Sequence, residues 1–121
     1  NDKGYVVYVG KVWVCIITCN EDGVSTCRKG RLNALQHIGY SIPRQADCGW
    51  IGEVGPGPSY LDEKADAKNN DFTNRNTTFM TYNLMHLAKI LKDNNGYPSY
   101  GNSKEDWDNG NRWSFDNPEY R

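Results

Sequence analysis

Tyr5 to Cys19, YVVYVGKVWVCIITC, is the stretch on which the fold turns. It is dense in Val, Ile, Tyr and Trp, side chains that suit a pleated, half-buried surface. From Lys11 onward, Val12, Val14, Ile16 and Thr18 alternate against Lys11, Trp13, Cys15, Ile17 and Cys19, a period of two that specifies β-structure. The run exceeds an ordinary strand of about five or six residues, so Gly10 must interrupt it. Either Gly10-Lys11 forms a type II′ hairpin turn that pairs Val9 with Val12 and Tyr8 with Trp13, or Gly10 is a bulge in one long strand.

Outward from this run, Asn20-Glu21-Asp22-Gly23 reads as a turn, and Ser25 or Thr26 as the N-cap of a helix from about Cys27 to Ile38, closed by Gly39. Leu32, Leu35 and Ile38, with Ala34 beside them, form its buried stripe. A short strand through Trp50, Ile51 and Val54 follows Cys48 and ends at Gly55-Pro56-Gly57-Pro58, where proline removes ladder donors. Residues 62–76 carry Asp, Glu, Lys and Asn and read as surface. Thr77 or Thr78 then caps a second helix whose Met80, Leu84, Leu87, Ala88 and Leu91 share one face, and Asn95-Gly96 ends it. Residues 94–121 are rich in turns and aromatics, with a hairpin expected at Asn109-Gly110 between Trp107 and Trp113. The expected architecture is a single α+β domain over residues 1–121, an antiparallel sheet covered by two helices and stabilised by disulfides.

The disulfides follow from cysteine arithmetic. Cys15, Cys19, Cys27 and Cys48 are even in number, and only the first pair has the close spacing of a zinc knuckle. A strand would hold Cys15 and Cys19 about 13 Å apart, beyond one bridge, which leaves Cys19–Cys27 and Cys15–Cys48 as the expected pairs. The chain opens at Asn1 without a leader, so it is either cytosolic or processed, and paired cysteines favour a processed, secreted protein. The sequon Asn76-Thr77-Thr78 agrees with secretion as a glycosylation site.

Charge narrows the partners. The net charge is −1, and no apolar run reaches the ~20 residues of a spanning helix, so neither a general polyanion binder such as a nucleic-acid protein nor a membrane span is expected. Arg28, Lys29 and Arg31 oppose the dipole of the first helix and mark an anion- or partner-binding patch. Tyr97, Tyr100, Trp107, Trp113 and Tyr120 are of the kind that anchor interfaces. His37 and His86 lie in helices without a partner motif, and the chain holds no G-x-S-x-G elbow and no H-E-x-x-H, so no catalytic residue, metal site or cofactor is expected.

On its size, its early cysteines (Cys15, Cys19, Cys27, Cys48) and its strand-helix order, the chain resembles the small secreted effector and avirulence proteins of plant-pathogenic fungi. Trp113-Ser114-Phe115 resembles in part a W-R-F/Y stretch of one structural group of them, without its Arg. The resemblance implies secretion by a pathogen, binding of a host protein and recognition by host immune receptors. The alternatives are a killer or antimicrobial toxin and a ribonuclease-type enzyme.

Overall fold

A computed structural model describes residues 7–20 and 23–113, without the side chains of residues 23–27. Its centre is a parallel pair of strands, β1 (Cys15–Cys19) and β2 (Asp47–Ile51), joined by helix α1 (Gly23–His37). Parallel strands cannot be closed by a tight turn, and α1 is the crossover that returns the chain to the same end of the sheet. The longest helix, α2 (Asp71–Asp93), packs on β2, and a short helix α3 (Lys104–Asp108) follows.

The register puts Cys15 opposite Asp47, Ile16 opposite Cys48, and Thr18 opposite Trp50. Successive side chains on a strand point to opposite faces, so the pair is a two-sided layer. Arg28 of α1 reaches Asp47 on one face, while the Cys48 sulfur meets the Thr77 hydroxyl of α2 at 3.3 Å on the other. Cys48, Trp50, Met80 and Leu91 are buried in the α2 layer, and Cys15 is buried on the side of α1. At the middle of the pair, a Cβ on Gly49 would overlap the carbonyl oxygen of Ile17, so this close approach of two backbones requires glycine.

The sheet is therefore parallel where an antiparallel one was expected, and no disulfide holds it. Cys15, Cys19 and Cys48 are free thiols. The parallel register explains the failure of Cys15–Cys48: one residue separates their levels, and their side chains leave opposite faces of the layer. Cys19–Cys27 fails with Cys19 unbonded, and the Cys27 side chain lies outside what the structure describes.

Local differences have local causes. Tyr8 to Gly10 form a turn closed by Lys11 N–H donating to the Tyr8 carbonyl at 3.0 Å, with Gly10 at φ +81°, and Val12 makes one parallel bridge to Ser41 instead of a hairpin. Helix α1 starts at Gly23, ahead of the expected Cys27; the side chains of its expected caps, Ser25 and Thr26, are among those not described. Helix α2 also begins early, because the Asn70 side chain accepts from Thr73 N–H at 2.9 Å and caps it. The expected caps Thr77 and Thr78 lie inside the helix and donate back to the Thr73 and Asn74 carbonyls. The expected hairpin at Asn109-Gly110 is instead the end of α3, which Ser103 caps.

Candidate functional site

In open parallel α/β sheets, ligands gather outside the carboxyl ends of the strands. Here β1 ends at Cys19, β2 ends at Ile51, and the ladder runs one step further as Gly52 N–H donates to the Cys19 carbonyl at 2.8 Å. Three segments meet at this edge: Asn20, the start of α1 at Gly23, and the loop from Gly52 to Tyr60.

The loop GEVGPGPSY is built for close backbone approach. A Cβ on Gly52 would come 2.8 Å from Trp50 Cζ3 and 3.1 Å from Asn20 Oδ1, so only glycine leaves both side chains in place. Gly55 turns at φ +92° and faces open space. The half-buried Asn20 amide donates to the Gly57 carbonyl at 3.2 Å and to the Pro58 carbonyl at 3.4 Å, pinning the loop to the end of β1. Beneath it, Trp50 and Tyr60 meet edge to face with ring centroids 5.8 Å apart. The edge combines a fixed backbone surface, an aromatic floor and the amino end of a helix whose first turn holds no acidic residue. Such an end favours an anion.

The residues singled out from sequence scatter. Arg28 Nε lies 3.1 Å from an Asp47 carboxylate oxygen, an ion pair whose angle misses a hydrogen bond, so its charge is engaged at the start of β2. Lys29 and Arg31 are exposed on α1. Tyr100 and Trp113 meet edge to face at 6.3 Å, and the Arg112 guanidinium stacks 4.0 Å over Trp107. Tyr97 lines a cavity of about 1380 Å³ at the opposite, amino end of the strands. Tyr120 lies outside the described residues, and Asn76 sits within α2 with its amide donating to the Phe72 carbonyl at 2.8 Å. Of the residues that build the edge, Asn20 and Gly57 read from sequence only as turn and loop residues, and Gly52 as part of the short strand. Their signal was the Gly-Pro run directly after a strand.

No group of three or more His, Cys, Asp and Glu side chains is placed to hold a metal among the described residues. Burial pushes the Cys15 thiol up, more than the nearby Arg31 draws it down, so it stays protonated at neutral pH.

Comparison with known proteins gives these features a setting. No family model matches the chain. It is 60% identical over 92 residues to the divalent metal cation transporter MntH of Mycobacterium bovis, a match that takes in 76% of this chain and 14% of the transporter. It is 37% identical over 91 residues to 8-demethyl-8-aminoriboflavin-5′-phosphate synthase of Streptomyces davaonensis, covering 75% of this chain and 34% of the synthase. Among solved structures, RosB with the bound intermediate 8-demethyl-8-formylriboflavin-5′-phosphate superposes with a TM-score of 0.67 at 34% identity, over 77% of this chain and 36% of that one. The chain thus spans about a third or less of the length of each protein it matches.

These likenesses overturn the resemblance to fungal effectors. The matched proteins are bacterial, and none is an effector, toxin or ribonuclease by name. The expectation of a protein without enzymatic activity is likewise overturned, since two of the likenesses are to a synthase. Secretion loses its basis in paired cysteines. Among the described residues no helix is long and apolar enough to cross a membrane. The fold is that of part of RosB: a parallel pair with helices on both faces.

Proposed function

We propose that the chain forms part of an enzyme that acts on riboflavin-5′-phosphate derivatives, and that the edge built by Asn20, the amino end of α1 and the Gly52–Tyr60 loop holds the flavin phosphate. The observation that carries this reading is the 34% identity and TM-score of 0.67 to RosB, a structure determined with such a molecule bound. The edge supplies what this substrate class needs. A flavin offers a flat ring system, which suits the open space over the Gly55 backbone. Its phosphate suits the amide donors of a helix amino end, with exposed Lys29 and Arg31 adding positive potential on the same helix and Glu21 and Asp22, directly ahead of it in sequence, opposing it. Arg28 contributes less, being paired with Asp47.

Titration of the full-length protein with riboflavin-5′-phosphate, followed by flavin fluorescence, tests this. Saturable binding is expected. Riboflavin, lacking the phosphate, should bind roughly tenfold more weakly or worse, because hydrogen bonds to a charged group each contribute about 1.5 kcal/mol or more. Absence of saturation with the phosphate ester, or equal affinity for both, overturns the reading.

A further inference from the structure

The two strands of the sheet differ in kind. β1 lies in the unbroken apolar run Val12 to Ile17, the pattern of a parallel strand with neighbours in the sheet and cover on both faces. β2 is short and carries Asp47 and Gly49, and a charge on a short strand is how the rim of a sheet is blunted.

Backbone bonds locate the open edge. Cys15 N–H donates to the Ala46 carbonyl at 2.8 Å and the Cys19 carbonyl accepts from Gly52 N–H at 2.8 Å, so Cys15, Ile17 and Cys19 direct their polar groups at β2. Those of Val14, Ile16 and Thr18 point the other way, and among the described residues the sheet has no strand on that side. The outer edge of β2 is occupied: the Gly49 carbonyl accepts from the Thr73 hydroxyl of α2 at 3.4 Å, and Arg28 pairs with Asp47.

The open side of β1 also lacks cover. Ile16 stands beside Cys48 and Thr18 beside Trp50, on the face where α2 packs, but α2 packs on β2. Cys48 and Trp50 are buried, whereas Ile16 is 60% exposed and Thr18 is exposed. An apolar mid-strand residue with outward-facing N–H and C=O groups is a template for another strand, and native proteins cover such an edge. Whatever covers it must supply both a pairing edge and an apolar face, which a strand with its connecting helix does.

We infer that in the full-length protein a further strand pairs with the open edge of β1 and its helix covers Ile16, so that β1 is an interior strand and β2 the rim. The likeness to RosB points to the source of this unit. It takes in 36% of that chain, so most of such a protein lies outside the match and is available to supply the strand and its helix. The inference does not depend on what the carboxyl edge binds.

Residue-resolved amide exchange of the full-length protein tests the pairing. An open edge gives an alternating pattern, in which the Ile16 and Thr18 amides exchange about a hundredfold or more faster than those of Ile17 and Cys19. A paired edge removes the alternation, and the four rates are expected to fall within about tenfold of one another. Nuclear Overhauser contacts from the Ile16 and Thr18 amide protons should run to a strand outside residues 1–121. Ile16→Asp should lower the folding equilibrium constant roughly a hundredfold or more, since it places a charge under the covering helix. Alternating exchange, contacts that run to residues 1–121 or to a second copy, or an Ile16→Asp variant as stable as the parent overturns the inference.

Discussion

The two ends of the β1–β2 pair are closed in opposite ways. At the carboxyl end the close contacts are specified: glycine at 52 leaves room for the Trp50 ring and the Asn20 side chain, and the Asn20 amide serves two carbonyls. At the amino end the chain is joined by single links, Ser41 N–H to the Lys11 carbonyl at 2.8 Å and Trp13 N–H to the Ser41 carbonyl at 3.1 Å, beside the cavity of about 1380 Å³. The larger space is the less constrained one. The carboxyl edge is proposed as the site on its converging polar groups and its required Gly52, not on volume.

The comparison can be broken at its hinge. Gly49→Val would drive a side chain into the Ile17 backbone midway between the two ends, and a loss of about 3 kcal/mol or more in urea denaturation is expected. Asn20→Ala removes two hydrogen bonds and leaves two carbonyls to water, with a cost of about 1–2 kcal/mol and a flavin-phosphate affinity lowered about tenfold by the loosened loop. A smaller effect concerns pH. With the folded Cys15 thiol raised by burial, the native state holds its proton where the unfolded chain begins to release it. Stability should hold up to the ordinary thiol range of about 8.5 and fall as pH rises beyond it, and Cys15→Ala should flatten that slope in denaturation at stepped pH. The smallest effect lies at the amino end. The Ser41 hydroxyl is buried with no hydrogen-bond partner, so Ser41→Ala should change stability by less than about 0.5 kcal/mol, or raise it. Equal losses for Asn20→Ala and Ser41→Ala would erase the contrast between the ends.

What could be read from the sequence was periodicity. The alternation before Cys19, the apolar run at Trp50 and the stripe through Met80 and Leu91 all correspond to β1, β2 and α2. Strand sense could not be read, since parallel and antiparallel strands alternate alike. Yet the order strand, helix, strand already contained the crossover that makes β1 and β2 parallel. The first turns of α2 were hidden by Asn and Thr, poor helix formers on intrinsic propensity. The structure satisfies them internally, as Asn76, Thr77, Thr78 and Thr81 each donate to the carbonyl four residues back. Four cysteines invited pairing because spacing alone carries no information on which face of a sheet a thiol leaves. The candidate edge was legible only as turn chemistry, Gly-Pro-Gly-Pro after a strand, because its use depends on Asn20 reaching across 37 residues.

Hydrogen exchange of the full-length protein, with and without saturating riboflavin-5′-phosphate, puts the central claim to its most direct test. Ligand-dependent protection is expected in the peptides spanning residues 19–30 and 52–60, with little change over 8–12 and 95–106. Protection confined to the amino-end segments, or none anywhere at saturation, would contradict a flavin-phosphate site at the carboxyl edge.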